Sequence, residues 1–250
     1  IAAAAPFGGA ALALTTAAVL LRGMRGTFAP GWAPGAGATM AVQIRDGFRW
    51  FWQHPIIRTV AFMAGVVNFF AAATMGVLVL VAQDRLGVTD SGFGLLLAAA
   101  AVGGILGGWT AERIVRHVGW GPAIFASNLL PAIGHVGVAL TGSAPVAGVM
   151  LALASFAATV GNVVVAGLRQ TAIPDHLLGR VASVYRLFGL GALPLGALFG
   201  GITADRFGLT APFWAGAVCL AAMALLLLPV LTTDAIARAR GDNGSQSKPG

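Results

Sequence analysis

The sequence predicts an all-α membrane protein with seven transmembrane helices, and three observations predict this fold class. First, 58% of the 250 residues are hydrophobic and only 9% are charged, whereas an ordinary soluble domain has roughly 25% charged residues. Second, the charged residues are bunched between long uncharged stretches, which is the layout of a polytopic membrane protein. Third, these stretches are continuous and rich in Ala, Leu and Gly, whereas a membrane β-barrel has short segments of alternating polarity.

Seven segments are long and uncharged enough for a helix that crosses the hydrocarbon core of a bilayer, which takes about 20 residues. The longest uncharged run, 117–168, is too long for one helix, and the Thr, Gly, Ser, Ala and Pro at 141–145 supply a turn that divides it. The predicted spans are 3–21, 59–82, 92–111, 120–140, 146–168, 181–203 and 210–231.

The basic residues predict the orientation of these spans. If the first span ends in the cytoplasm, all of the 15 Lys and Arg except Arg85 and Arg206 fall in cytoplasmic segments. This asymmetry follows the positive-inside rule, and it alternates correctly through every connection. We therefore expect a multi-pass protein of the cell membrane with a cytoplasmic C-terminus.

The same pattern predicts four parts of the chain. These are a transmembrane helix at 1–21, a cytoplasmic linker at 22–58, a six-helix block at 59–231 and a disordered cytoplasmic tail at 232–250.

The linker itself has two parts of different character. Residues 26–38 are rich in Gly, Pro and Ala and are typical of a flexible linker. From Met40 to Gln53, Arg45 and Arg49 lie four residues apart among several aromatic residues, which suits a helix in the cytoplasmic interface of the membrane. A plain connecting helix with a solvated basic face fits the pattern equally well.

A short recurrence connects two spans of the six-helix block. Residues 107–113 read GGWTAER and residues 200–206 read GGITADR, at the ends of the second and fifth helices of the block. An inverted repeat of three plus three helices would superpose these two positions, and such repeats are found in transporters that work by alternating access.

Three stretches, 43–55, 93–119 and 169–208, carry a resemblance to a known family. The six-helix block resembles the C-terminal half of a major facilitator superfamily transporter and is most similar to the transmembrane secretion effector branch, which includes enterobactin-exporter-like and macrolide-efflux-like proteins. The resemblance implies a twelve-helix, proton-coupled exporter in the lipid bilayer, with a small-molecule substrate such as a drug or siderophore. It also implies that span 3–21 corresponds to the sixth helix and that the N-terminal half of the transporter is missing.

The connection at 108–119 resembles the loop signature of that superfamily, with glycines, an acid and basic residues. The resemblance makes four residues candidates for a cytoplasmic gate. We expect Glu112 to pair with Arg169 in the outward-open state, because an acid at a helix end can pair with a neighbouring arginine. The alternative is a solvated loop whose charges only fix the topology. The gate candidates are Glu112, Arg113, Arg116 and Arg169.

Polar side chains are rare within the predicted spans, and such residues usually face protein or water. Asn68 and Asn162 lie away from the span ends and are the best candidates for a substrate path. His135 is a third candidate because it can take a proton near neutral pH, although a structural role is at least as compatible with the sequence.

The glycines suggest both packing and bending. Gly103 and Gly107 have the spacing that lets helix backbones approach closely in a membrane. Gly189, Gly191 and Pro194 are expected to soften the sixth predicted span, 181–203, so that it bends during gating.

Several other functions lack their sequence signatures. There is no Walker A sequence, no metal-ligand spacing and no nucleophile-base arrangement, so we expect no cofactor, no bound metal and no enzymatic activity. The net charge of +7 comes with one lysine, Lys248, and no dense basic groove, which argues against nucleic acid as a partner. A non-transporting membrane scaffold or regulator derived from a transporter is the alternative to an exporter.

Overall fold

Helices make up almost all of the described chain. The computed structural model describes residues 15, 16, 18, 19, 22, 40–173 and 175–227, and no strand occurs among them. The chain divides into two units, 1–38 and 39–250. In the second unit the helices are α1 (Met40–Gln53), α2 (Pro55–Leu80, continued by a π-helical turn at Val81–Arg85), α3 (Asp90–Val118), α4 (Trp120–Leu140), α5 (Ala144–Ala172), α6 (Asp175–Phe207) and α7 (Ala211–Leu227).

The all-α membrane fold predicted from the sequence is confirmed. Helices α2 to α6 are long and apolar enough to cross a membrane, and Ala211–Leu226 is a shorter apolar helix. The predicted helix at 1–21 lies outside the described residues apart from four helical positions, and residues 228–250 also lie outside them.

The observed helices extend beyond the predicted spans at several ends. Helix α6 runs over Asp175–Phe207, whereas the sequence predicts a span at 181–203. The difference has a physical reason. The predicted span begins after Arg180 and ends before Asp205, but the helical hydrogen-bond ladder continues into the polar interface, where arginine side chains are readily solvated.

Short connections force consecutive helices to run in opposite directions. A single residue, Gly119, separates α3 from α4, and its φ of 86° lies in the left-handed region that side-chain-bearing residues rarely adopt. Helix α5 begins after a three-residue connection, with Pro145 in its first turn, where a missing backbone N–H costs nothing.

Close glycine contacts join α3 to α5. A Cβ atom at Gly103 would overlap the backbone of Ala152, and one at Gly107 would overlap the backbone of Phe156. Both partners advance by four residues together, so the two helices run parallel. The glycines therefore permit a backbone approach that any larger residue would prevent.

A second pair of parallel helices, α2 and α6, has the same construction. Gly196 packs on the backbone of Phe69, and Gly200 packs on the backbone of Ala73. The helices form two three-helix sets, α2 to α4 and α5 to α7. The second helix of each set packs against the first helix of the other set, and the third helices, α4 and α7, pack together.

The two copies of the recurrent sequence occupy equivalent environments in these pairs. Thr110 donates a hydrogen bond to the carbonyl four residues earlier at 2.7 Å, and Thr203 does the same at 2.7 Å. Ala111 and Ala204, which follow these threonines, are both buried. The matching contacts support an inverted repeat as the origin of the recurrence.

Helix α1 is anchored to the bundle by one face. Phe51 is 1% exposed and belongs to a core cluster with Ile57 of α2 and Val181 of α6. Its ring also stacks on Phe188 of α6, with 5.5 Å between the centroids. The helix over Met40–Gln53 therefore packs across the N-terminal parts of α2 and α6.

Candidate functional site

A small cavity between four helices collects polar side chains in a largely apolar bundle. Asn68 comes from α2, Ser127 and Asn128 from α4, Asn162 from α5 and Tyr185 from α6. Apolar residues and glycine complete the lining, namely Val60, Met63, Ala64, Val67, Ile124, Ala158, Gly161 and Val165. Asn68 and Asn162, which the sequence predicts for a substrate path, are thus brought together in one cavity.

The size of this polar cavity limits what it can hold by itself. The volume open to water-sized molecules is about 40 Å³, and one buried water needs about 10–15 Å³ of such volume. The cavity thus has room for a few water molecules or one polar group of a larger molecule. A drug-sized ligand needs a pocket of roughly 300–1,000 Å³, so these residues can form only part of the wall of such a site.

The polar groups of the cavity differ in how they are satisfied. Ser127 and Asn128 are buried, and each donates a hydrogen bond of 2.8 Å to the carbonyl of Ile124 on their own helix. Asn68 is half-buried and Asn162 is exposed, and neither side chain hydrogen bonds to the described part of the chain. The amides of Asn68 and Asn162 are therefore available to a ligand or to water.

Glycines make room for these polar groups. A Cβ atom at Gly189 of α6 would lie 3.2 Å from the amide nitrogen of Asn68, and one at Gly161 of α5 would lie 2.7 Å from the hydroxyl of Ser127. Gly189 thus contacts Asn68, which lines the cavity. The cavity depends on small residues at these two positions, since larger side chains would displace the polar ones.

Tyr185, which lines the cavity, contacts Arg169. The guanidinium carbon of Arg169 is 4.0 Å from the centroid of the Tyr185 ring, which is a close cation–π contact. The Nε atom of Arg169 is buried and has no hydrogen-bond partner within the described residues. Arg169 is therefore tied to the cavity through an aromatic face rather than through a carboxylate.

The remaining gate candidates lie on the exposed end of α3. Glu112 and Arg116 form an ion pair at 3.9 Å, with side chains that are largely exposed. Arg113 lies over the ring of Trp109 at 5.2 Å. The pairing of Glu112 with Arg169, expected for the outward-open state, stays a prediction because Glu112 contacts Arg116 here.

His135 lies away from the other two substrate-path candidates. It is buried where α4 meets α7, beside Gly216 and at 5.9 Å from the ring centroid of Phe213. Its Nδ1 atom has no hydrogen-bond partner in the described structure, and His135 does not line the polar cavity.

The predicted flexible positions lie within one unbroken helix. Helix α6 runs through Gly189, Gly191 and Pro194 without interruption. Pro194 has no backbone N–H, so the carbonyl four residues earlier lacks its helical partner, which weakens the ladder there. Bending of α6 during gating stays a prediction.

Sequence reasoning missed part of the cavity. Tyr185 was not a candidate because it lies near arginines at a predicted span end, where an aromatic residue is typical of the membrane interface. Ser127 is also a lining residue that the pattern did not select, because a serine in an apolar helix commonly bonds its own backbone. Within the described residues, no three His, Cys, Asp or Glu side chains cluster in a way that could hold a metal ion.

Comparison with known proteins identifies the family. The family model described as transmembrane secretion effector matches residues 2–243. The chain belongs to the transmembrane secretion effector family. This confirms the resemblance of the sequence to this branch of the major facilitator superfamily.

A curated relative of this transmembrane secretion effector protein is the multidrug efflux pump Tap of Mycolicibacterium fortuitum. The two are 31% identical over 182 residues, which are 69% of this chain and 42% of the pump. The match therefore spans less than half of the length of the relative.

Proposed function

We propose that this chain is the C-terminal portion of a secondary-active exporter that moves small amphipathic molecules, of drug or siderophore type, by alternating access. The polar cavity is the observation that carries the proposal. It brings the available amides of Asn68 and Asn162 together at one cavity between largely apolar helices, and polar side chains within membrane spans are costly unless they serve a ligand or a partner.

The chemistry of the cavity suits a neutral or mixed ligand surface. Asparagine amides donate and accept hydrogen bonds, and the Tyr185 ring and the aliphatic residues offer apolar contact. Such a site fixes the orientation of an amphipathic molecule through a few polar contacts. The name of the relative Tap, a multidrug efflux pump, supports export as the direction.

The helix pairing suits rigid-body movement. The glycine contacts of α3 with α5 and of α2 with α6 make the two pairs stiff units. In alternating access, such units rock around a fixed site. Helices α2 and α5, which carry Asn68 and Asn162, would be the lining helices.

A second half of the transporter would complete the site. The match to Tap covers 42% of that protein, which supports an N-terminal half that closes the cavity from the other side. The arginine distribution supports a location in the cell membrane with the C-terminus in the cytoplasm.

Proton coupling is proposed to involve residues other than the carboxylates of the described spans. Those carboxylates lie near helix ends and are exposed, namely Asp84, Asp90, Glu112 and Asp205. The coupling group would then be an acid of the N-terminal half or His135, whose buried Nδ1 atom has no hydrogen-bond partner among the described residues.

Efflux measurements test the proposal. The full-length protein would be reconstituted into vesicles, and a panel of amphipathic compounds would be followed with and without a proton gradient. We expect at least one compound to be moved in a gradient-dependent way. Movement of no compound, with the protein correctly folded, would contradict transport and favour a scaffold.

A further inference from the structure

The outward face of α1 combines arginines with aromatic rings. Arg45, Phe48, Arg49 and Trp52 follow one another at intervals of three, one and three residues, so they lie on one face of the helix, and all are exposed. The rings of Phe48 and Trp52 stack with 5.6 Å between centroids. Because the opposite face is fixed by the buried Phe51, this basic aromatic face is held away from the bundle.

An apolar groove continues from this face along the bundle. It lies between α1, α2 and α6, has a volume of about 400 Å³ and is lined by Phe51, Trp52, Arg58, Thr59, Phe62 and Phe188. Phe62, one of the lining residues, is 63% exposed. The groove is as large as many ligand pockets, and nearly all of its lining is apolar.

Arg58 lies where the groove meets the basic face. Its guanidinium lies over the Trp52 ring at 5.4 Å, and its Nη1 makes a long contact of 3.5 Å with the Trp52 carbonyl. Among the described side chains, Arg58, Arg45 and Arg49 have no carboxylate partner. The sequence of this region adds one acid, Asp46, so a positive surplus remains.

We propose that this basic aromatic face and groove bind an anionic phospholipid of the membrane, with the phosphate at Arg49 and Arg58 and an acyl chain along Phe62 and Phe188. Arginine matches phosphate geometry through its planar fork of donors. Clusters of basic residues at the cytoplasmic surface attract anionic lipids, and tryptophan prefers the headgroup level.

A lipid explains both parts of the site together. A soluble phosphate would use the arginines but leave the apolar groove empty, and an uncharged lipid would fill the groove without neutralising the arginines. The groove also begins at the first turn of α2, a helix long and apolar enough to cross the membrane, which is the level where headgroup and acyl chain meet.

Native mass spectrometry of the full-length protein tests this proposal. The protein in detergent would be mixed with phosphatidylglycerol and phosphatidylcholine of matched acyl chains, and retained lipids would be counted. We expect a preference for phosphatidylglycerol that falls about tenfold or more in Arg49→Gln/Arg58→Gln, because each arginine contributes separately to the attraction.

A matched double variant controls for the loss of two charges. Arg85→Gln/Arg206→Gln removes two arginines from the other ends of the spans, and it should keep the preference of the wild type. Equal retention of both lipids by the wild type, or an equal loss in both double variants, would overturn the proposal. The proposal would also fail if Arg49→Gln/Arg58→Gln changed the thermal stability but kept the lipid preference of the wild type, since the arginines would then serve a protein contact.

Two further measurements complete the test. If Arg49→Gln/Arg58→Gln does not fold, the preference of the wild type should fall as salt is raised, because salt screens the headgroup contact, and a salt-independent preference would contradict it. Phe62→Ser should retain less of both lipids than the wild type. Unchanged retention would exclude the groove as the acyl-chain site.

Discussion

The guanidinium of Arg169 stacks on the ring of Tyr185 at 4.0 Å, which joins the C-terminal end of α5 to a residue that lines the polar cavity. Both helices belong to the second three-helix set, α5 to α7, and α6 also packs beside α2 of the first set. A positive charge on α5 is therefore placed where a change in the position of α6 would alter its environment.

This stack predicts different effects for two substitutions of Tyr185. Tyr185→Phe keeps the aromatic face and should leave the free energy of unfolding nearly unchanged. Tyr185→Leu should lower it by about 0.5–2 kcal/mol, the usual range for a cation–π contact. Thermal unfolding of the purified full-length protein measures both, and combining Tyr185→Leu with Arg169→Gln should cost less than the sum of the single changes. Strict additivity would show that the two side chains do not interact.

The two kinds of asparagine in the cavity predict different phenotypes. Asn162→Ala should reduce the efficiency of efflux by about 2- to 10-fold, as for one lost hydrogen bond, and should hardly change stability because the side chain is exposed. Asn128→Ala should instead cost about 1 kcal/mol of stability, because Asn128 is buried and bonded to Ile124.

Val163→Ala is a matched control for Asn162, since Val163 is its exposed neighbour on α5 and does not line the polar cavity. Efflux of a compound panel from vesicles compares Asn162→Ala with Val163→Ala, and thermal unfolding compares the stability of all three variants. If Val163→Ala reduced efflux as much as Asn162→Ala, the amide would have no special role.

The glycine contact between α3 and α5 predicts strong sensitivity to one methyl group. Gly103→Ala should lower the free energy of unfolding by about 1–3 kcal/mol, because the new Cβ meets the rigid backbone of Ala152. Gly201→Ala is the control, since a Cβ there meets nothing within 4 Å and alanine favours helix formation. Size-exclusion profiles after stepwise heating would compare the two, and equal midpoints would contradict the close contact.

The charged end of α3 predicts a state-dependent interaction. The exposed pair of Glu112 and Arg116 should contribute only about 0–1 kcal/mol, so Glu112→Gln should change stability little. If Glu112 pairs with Arg169 in another state, then Glu112→Arg and Arg169→Glu should each abolish efflux, and the double exchange should restore it. Failure of this rescue in vesicle efflux would remove the proposed pairing.

The sequence predicts the fold better than it predicts the site. Uncharged runs report membrane crossing directly, because any charge in the hydrocarbon core is costly, and the helix bounds differ mainly where helices continue into the interface. Hydropathy alone does not predict which helices pack against each other. Only the positions of Gly107 and Gly200 in the recurrent sequence indicate that α3 and α6 play equivalent parts.

Side-chain direction explains what sequence reasoning could not predict about the site. Asn68 and Asn162 were predictable because an amide is conspicuous in an apolar run. The separation of His135 from them was not, since it depends on the rotation of α4 against α7. Tyr185 escaped notice because its role comes from Arg169, a residue on another helix.

The exchange of partners between the two three-helix sets also has a consequence for biosynthesis. Helix α2 packs its backbone at Phe69 and Ala73 on Gly196 and Gly200 of α6, and the ribosome must make α3, α4 and α5 before that partner exists. Helix α2 therefore waits in the lipid with this surface uncovered while the rest of the chain is inserted. Synthesis of α6 supplies the partner of α2, and α7, which is made last, supplies the partner of α4, so a chain interrupted before α6 would leave both α2 and α4 without these contacts.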